Sequence, residues 1–258
     1  MCCYRIPLQK YKKTSICSLK NKKSQKLQRI EAFLSTFVPQ KNKKMKDIVI
    51  LYSGGMDSSV AIYKHAERIR LAVTFNYGSK HNLREIEYAA KNCKSLGIEH
   101  HVIEIDLNKM GFVSDLLKSG GAIPNGHYED QNMIKTVVPF RNGIMLSIAA
   151  GIAESIGCDK LMISNHAGDH AIYPDCREEF IETMSKAISL GTYNHCQILA
   201  PFTNLSKREI GLMGKEIGVP FEDTYSCYNG QEIHCGTCGT CTERKEGLLG
   251  FDPTVYQK

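Results

Sequence analysis

The stretch "IVILYSGGMDSSVAIYKHAE", Ile48–Glu67, decides the fold. Ile48–Tyr52 is a short apolar run of strand type. Ser58–Arg68 reads as a helix, with Val60, Ile62 and Tyr63 among its apolar positions. Between them stand Ser53, Gly54, Gly55, Met56 and Asp57. Two glycines allow a tight turn and a close approach of backbone to a ligand. Successive N–H groups in such a turn form an anion-binding nest, and the following helix adds its unpaired N–H groups and the positive end of its dipole. The Ser53 and Ser58 hydroxyls supply further donors, so the junction suits phosphate oxygens. Asp57 is placed either to cap the helix or to hold Mg2+ between phosphates. No G-x-x-x-x-G-K-[ST] occurs, which speaks against simple γ-phosphate hydrolysis of the P-loop kind. The bland alternative is a strand–turn–helix junction made of small residues.

Outward from this junction the pattern alternates. Strands are expected at Leu71–Phe75, His101–Ile105, Lys160–Ser164 and Gln197–Leu199, and helices at Leu83–Leu96, Asn142–Ile156, Arg177–Leu190 and Lys207–Ile217. On Leu83–Leu96 the apolar face is read as Ile86, Ala89, Ala90 and Cys93. Lys118–Lys135 has no period and many turn formers, and reads as a long surface loop or lid. The expected fold is α/β, a parallel sheet with helices on both faces, and ligands in such folds sit beyond the carboxyl ends of the strands.

The 258 residues suffice for one sizeable domain, and 42% hydrophobic with 23% charged residues is ordinary for a globular protein. The net charge of +6 is unevenly placed: residues 1–44 hold 12 of the 33 bases and a single acid, Glu31. The remainder is mildly acidic, so it carries no overall basic field for nucleic acid. Three readings compete for residues 1–44: a disordered basic arm, a targeting segment, or a mis-assigned start ahead of Met45, the last being favoured. The expected division is therefore 1–44, an ATP-binding α/β domain over 45–220, and a metal-binding segment over 221–258. No apolar run is long enough for a transmembrane helix. Eleven cysteines without a signal peptide point to a reducing, cytoplasmic setting.

Four of those cysteines are Cys227, Cys235, Cys238 and Cys241, in C-x7-C-x2-C-x2-C spacing. Gly236 and Gly239 permit tight knuckles, and four thiolates suit one closed, tetrahedral structural Zn2+. An iron–sulfur cluster is the rival, disfavoured because the fourth cysteine lies far upstream and no proline follows the last. His234 reads as a neighbour rather than a fifth ligand. Cys2, Cys3, Cys17, Cys93, Cys158, Cys176 and Cys196 show no ligand spacing.

Three further motifs fall at expected strand ends: Phe75–His81 ("FNYGSKH"), Val138–Gly157 with Arg141 and Asn142 opening a helix, and Asn165–Phe180 with Asp169, His170, Tyr173, Asp175 and Arg177 in one loop. Arginine at a helix N-terminus opposes the dipole and so needs a partner of its own. The loop cluster suits a small planar substrate with donors and acceptors.

Ser-Gly-Gly-x-Asp-Ser resembles the pyrophosphate loop of the PP-loop ATPases, the adenine-nucleotide α-hydrolase group. Joined by Phe-x-Tyr-Gly-x-x-His, Pro-x-Arg-Asn, Tyr-Pro-Asp-Cys-Arg and the Ser-Cys-Tyr with trailing cysteines, the set resembles the 7-cyano-7-deazaguanine synthase family of the queuosine pathway, over roughly residues 45–250. Ser79 departs from it, since the family often has Gln there. The resemblance implies a carbon–nitrogen ligase that converts 7-carboxy-7-deazaguanine and ammonia to the nitrile through adenylated intermediates. It implies ATP on Tyr52, Ser53, Gly54, Gly55, Met56, Asp57, Ser58, Ser59, Val60, Ala61 and Ile62, with Mg2+. Asp57, Arg141 and Lys207 are the expected catalytic residues, and Asn142, Asp169, Tyr173, Asp175 and Arg177 the expected substrate contacts. Small molecules are the expected partners, with no membrane and no stable nucleic-acid binding, and a homodimer is expected. Other readings are a tRNA sulfur-transferase, a relative that attaches a deazaguanine to a protein, and a non-enzymatic zinc-ribbon protein.

Overall fold

The computed structural model describes residues 46–258, which form one compact unit. The expectations for residues 1–44, and for Cys2, Cys3 and Cys17, lie outside the described residues. Five parallel strands, β1 (Ile48–Leu51), β2 (Ile69–Asn76), β3 (Glu99–Glu104), β4 (Lys160–Met162) and β5 (Gln197–Leu199), form a sheet in the order β3-β2-β1-β4-β5. The helices are α1 (Met56–His65), α2 (Asn82–Leu96), α3 (Arg141–Ser155), α4 (Glu178–Gly191), α5 (Lys207–Glu216) and α6 (Gly239–Gly247).

Period-two alternation along β1 shows why both faces of the sheet are covered. Val49 packs in one cluster with Leu146 and Ala149 of α3 and Ile181 and Ile188 of α4. Its neighbours Ile48 and Ile50 point the other way, into a cluster with Val60 and Ile62 of α1, Ala89 and Cys93 of α2, and Ile210 of α5. All three β1 residues are fully buried, as a central parallel strand requires. The chain reverses its direction of growth between β1 and β4, and that switch point is where α/β sheets hold ligands.

Three sequence expectations are corrected. Ala90 of α2 is exposed, and the buried face is instead Asn82, Ala89, Asn92 and Cys93; Asn92 earns its place by bonding the Asp223 carbonyl and the Tyr63 hydroxyl. The segment 118–135 is not merely surface: Tyr128 and Met133 are buried, and Asn125 pairs with Cys238. The cysteine-rich end hid a helix, α6, whose Cys241 and Leu248 flank join the two core clusters. The residues beyond 220 thus share the core of the α/β domain. Among the described residues, no helix is long and apolar enough to cross a membrane.

Candidate active site

The Gly54–Gly55 turn is shaped by crowding from α2. Gly54 has φ +80°, and a Cβ there would stand 2.5 Å from the Glu85 carbonyl oxygen and 2.8 Å from the Ala89 nitrogen. No L-residue with a side chain fits that approach without strain. The Tyr225 N–H donates to the Gly54 carbonyl at 3.0 Å, so the cysteine-rich segment also holds the turn. Within the turn Ser53 Oγ accepts from the Gly55 N–H at 3.1 Å and meets Ser58 Oγ at 3.0 Å. Gly55 is the N-cap of α1 and supplies no side-chain cap, so the start of α1 keeps donors that its N-cap residue does not satisfy.

Asp57 does not cap the helix. Its Oδ2 accepts from Lys207 Nζ at 2.6 Å, and Lys207 Nζ also meets Glu243 Oε2 at 3.0 Å and His166 Nε2 at 3.4 Å. Two carboxylates share one ammonium in a mostly buried cluster. Burial opposes every charge here, yet Asp57 and Glu243 together hold the Lys207 pKa above its usual value. For Asp57, burial is outweighed by Lys207 and its pKa is lowered; for the more distant Glu243, burial wins and the pKa is raised. Asp57 Oδ1 is buried without a hydrogen-bond partner.

His166 and Asp169 extend the cluster. His166 Nδ1 accepts from the Gly168 N–H at 3.1 Å, and Asp169 Oδ2 accepts from the His166 N–H at 2.9 Å, a reciprocal cap on the short turn Ala167–Ala171. Asp169 Oδ1 accepts from the Tyr128 hydroxyl at 2.8 Å. Tyr128→Phe should therefore cost about 1.5–3 kcal/mol, a bond to a charged group, measured as a shift in the urea midpoint with the m-value unchanged.

One cavity opens at the carboxyl ends of β1, β2 and β4. Ser53, Gly55, Asp57, Ser58, Lys207 and Glu243 line its nucleotide-loop side, and Tyr77, His81, Glu85, Arg141, Tyr128 and Tyr173 line it farther along. Arg141 opens α3, and its unfavourable place at the dipole is offset by a Tyr77 partner: Nη1 donates to the Tyr77 hydroxyl at 3.0 Å, with the guanidinium 5.5 Å from the ring centroid.

Of the expected ATP contacts, Tyr52, Ser53, Gly55, Met56, Asp57 and Ser58 line this cavity. Ser59, Val60, Ala61 and Ile62 are buried in the core instead, because α1 is covered almost all round along this turn; Ser59 bonds Tyr52 Oη at 3.0 Å. Gly54 lies behind the turn, against α2. Asn142, Asp169 and Tyr173 line the cavity. Asp175 and Arg177 do not. Asp175 Oδ2 accepts from the Asn142 N–H at 2.8 Å, satisfying the start of α3, and Arg177 is exposed with Nε donating to the His170 carbonyl. Cys176 lines the cavity as a buried thiol whose pKa burial drives well up, which favours the neutral thiol over the nucleophilic thiolate. Sequence reasoning passed over His166, Glu243, Tyr128 and Glu85, and noted His81 only as the end of the Phe75–His81 motif. Glu243 lies two residues after a metal-type cysteine, and its proximity to Lys207 depends on the packing of α5 against α6.

The sulfur atoms of Cys227, Cys235, Cys238 and Cys241 all lie within 4.8 Å of one another, so the four could hold a metal ion. The Cys235 N–H points at Cys227 Sγ and the Cys238 N–H at Cys235 Sγ, at 3.4 and 3.3 Å; such donors favour thiolates. His234 is no part of the set: its Nε2 accepts from the Ser226 N–H and its ring packs 4.7 Å from that of Tyr225.

A family model described as queuosine biosynthesis protein QueC matches residues 47–252. A 7-cyano-7-deazaguanine synthase of Porphyromonas gingivalis is 51% identical over 218 residues, covering 83% of this chain and 99% of its own length. Proteins of the same name from Desulfotalea psychrophila and Caldicellulosiruptor saccharolyticus are 45% and 42% identical, covering 82% and 83% of this chain and 99% and 96% of their own. With a match that spans sheet, cavity and cysteine cluster alike, the chain belongs to the QueC family, the 7-cyano-7-deazaguanine synthases of queuosine biosynthesis.

Proposed function

We propose that the cavity converts 7-carboxy-7-deazaguanine and ammonia to 7-cyano-7-deazaguanine by two rounds of adenylation. The observation that carries this reading is the opening of the Ser53–Ser58 turn, Lys207 and Arg141 onto one cavity. A carboxylate is a poor electrophile, because oxide is a poor leaving group. Attack of its oxygen on the α-phosphorus of ATP expels pyrophosphate and leaves AMP as a good leaving group. Ammonia then forms the C–N bond as the C–O bond to AMP breaks. The amide oxygen is adenylated in turn, and loss of AMP with the last amide proton leaves the nitrile.

The Ser53–Ser58 turn and the start of α1 take the pyrophosphate. Lys207 sits between Asp57 and the mouth of that turn and stabilises charge building on the α-phosphate. Arg141 receives the substrate carboxylate, for which its planar fork is suited. Asn142, Asp169 and Tyr173 border the deazaguanine. Asp57, whose Oδ1 is buried without a hydrogen-bond partner, would hold a Mg2+ ion bound with ATP, which would offset phosphate charge. The four cysteines hold one structural Zn2+, since no ligand position is left open to substrate. The active species is a cytoplasmic homodimer that takes small molecules, and residues 45–258 carry the activity, with 1–44 dispensable.

The test is mass spectrometry of residues 45–258 with 7-carboxy-7-deazaguanine, ammonium, Mg2+ and ATP. Nitrile accompanied by AMP is expected. A folded, metal-loaded protein that yields no nitrile would sink the reading, and ADP in place of AMP would refute cleavage at the α-phosphate.

A further inference from the structure

Glu85 has no task in the reaction as written above. It stands in the first turn of α2, enclosed by protein yet facing the cavity, with 16% of its side chain exposed. Its Oε2 meets His81 Nε2 and Asn82 Nδ2, each at 3.4 Å. Both contacts are long and fall on one oxygen, so the carboxyl is weakly held. Desolvation raises its pKa to about 8, while Arg141 and the Asn82 bond pull the other way. A buried carboxyl held by only two long contacts, both on one oxygen, is costly to keep, and in a cavity it invites a chemical role.

Its position narrows that role. The Glu85 backbone is the surface against which Gly54 packs, and its carboxyl lies within electrostatic reach of Arg141. A substrate carboxylate seated on Arg141 and facing the nucleotide turn therefore shares the cavity with the Glu85 carboxyl. The hydrogen-bonding edge of the deazaguanine ring is at the opposite end of the bicycle. Two adjacent carboxylates repel, and a small cation between them removes the conflict. The rings of His81 and Tyr228, 5.3 Å apart, and of Tyr77 border the same space, and aromatic faces attract ammonium.

We propose that Glu85 is the general base that turns ammonium into ammonia beside the adenylated carboxyl. This rests on the ligase reading above and adds to it how nitrogen becomes nucleophilic. One N–H bond of ammonium breaks, its proton goes to a Glu85 oxygen, and the freed electron pair attacks the acyl carbon. The C–O bond to AMP then breaks, and the departing phosphate takes the surplus proton from nitrogen. Transfer turns a buried cation–carboxylate pair into two neutral groups, which a desolvated site favours. The groups facing Glu85 are His81 of its own helix, held neutral because burial takes its pKa to about 3, Tyr77 after β2, and Arg141 of α3. Only Glu85 among these titrates between neutrality and mild alkali.

The experiment compares ammonium with hydroxylamine, which is already neutral near pH 7, using the full metal-loaded chain. Glu85→Gln should lose about 10²-fold or more in rate with ammonium near neutrality, keep its rate of hydroxamate formation, and recover toward wild type as rising pH supplies free ammonia. Acid-dependent ATP–pyrophosphate exchange, which needs no nitrogen source, should stay at the wild-type level and certifies a folded site. Equal loss with both nucleophiles, or no loss with either, overturns the proposal. Should the variant not fold, the wild type decides: its kcat/KM for total ammonium should level off as Glu85 ionises, whereas a continued rise in step with free ammonia refutes the base. A wild type that exchanges pyrophosphate but never makes nitrile defeats the ligase reading itself.

Discussion

Lys207→Met is expected to abolish AMP formation and to destabilise the protein by about 3–5 kcal/mol, the cost of leaving buried charge uncompensated. The ammonium lies 2.6 Å from Asp57 and 3.0 Å from Glu243, and all three side chains are less than a fifth exposed. Methionine preserves the length of the stem and removes the charge, so two carboxylates are left facing each other. On a total stability of about 5–15 kcal/mol, that is a large fraction. The rate loss should reach at least about 10²–10³, the usual cost of losing one donor to a developing anion.

The pH dependence carries a distinct sign. In the wild type, Asp57 has a lowered pKa, so its contribution to stability is present above the ordinary aspartate value of 3.8 and is lost as pH falls through the folded-state value. In Lys207→Met, Glu243, already raised by burial, rises further. A raised carboxyl contributes stability below its unfolded pKa and loses it as pH climbs through the folded one. The variant should therefore gain more stability than the wild type as pH falls from neutrality into mild acid, where the wild type's Asp57 contribution is still intact and is lost only below 3.8. Urea titrations at several pH values read this directly, and parallel curves for the two proteins would refute the shared-ammonium picture.

Removing the metal is expected to have the larger structural effect. A structural zinc on four thiolates contributes about 10–16 kcal/mol of apparent binding free energy at neutral pH, comparable to or above the stability of a whole domain. Here the knuckle is continuous with the active site. Tyr225 holds Gly54, Glu243 holds Lys207, and Ser226, Tyr228 and Thr240 line the cavity. Arg244, fully buried, donates to the Phe221 carbonyl, to the Thr224, Ser226 and Thr254 hydroxyls, and faces Asp252. Tyr228 and Thr240 lie between Cys227 and Cys241, and Tyr225, Ser226, Glu243 and Arg244 flank that stretch within two or three residues. Chelation, or Cys238→Ala, should release one zinc per chain, expose the segment after residue 220 to protease, and end AMP formation. Metal analysis, limited proteolysis and the AMP assay decide it. Iron with visible absorbance would replace zinc by a cluster, and a metal-free protein with full turnover would deny the metal its structural role.

The elements most legible in the sequence were those whose pattern is local. The apolar run Ile48–Tyr52, the glycine turn and the helix after it need only neighbours in the chain to be read. The β5 strand fell at Gln197–Leu199 as expected, and the four cysteines announced themselves by spacing. Alternation of strands and helices was enough for a parallel sheet covered on both faces, because short connections leave few other topologies.

What needed the tertiary structure was the pairing of distant side chains. Lys207 follows Asp57 by 150 residues and precedes Glu243 by 36, and nothing in either interval encodes their contact. It arises because α5 packs on both α1 and α6. Asp175 and Arg177 looked like ligand contacts by composition, yet Asp175 was needed to satisfy the start of α3, a demand visible only once the two segments meet. Glu85 was unremarkable on a helix rich in charge, and only the fold shows that it is enclosed and lines the cavity. Composition and periodicity thus determined which backbone elements form. Burial and electrostatic competition among residues far apart in the chain decided which polar groups serve the fold and which are left facing the cavity.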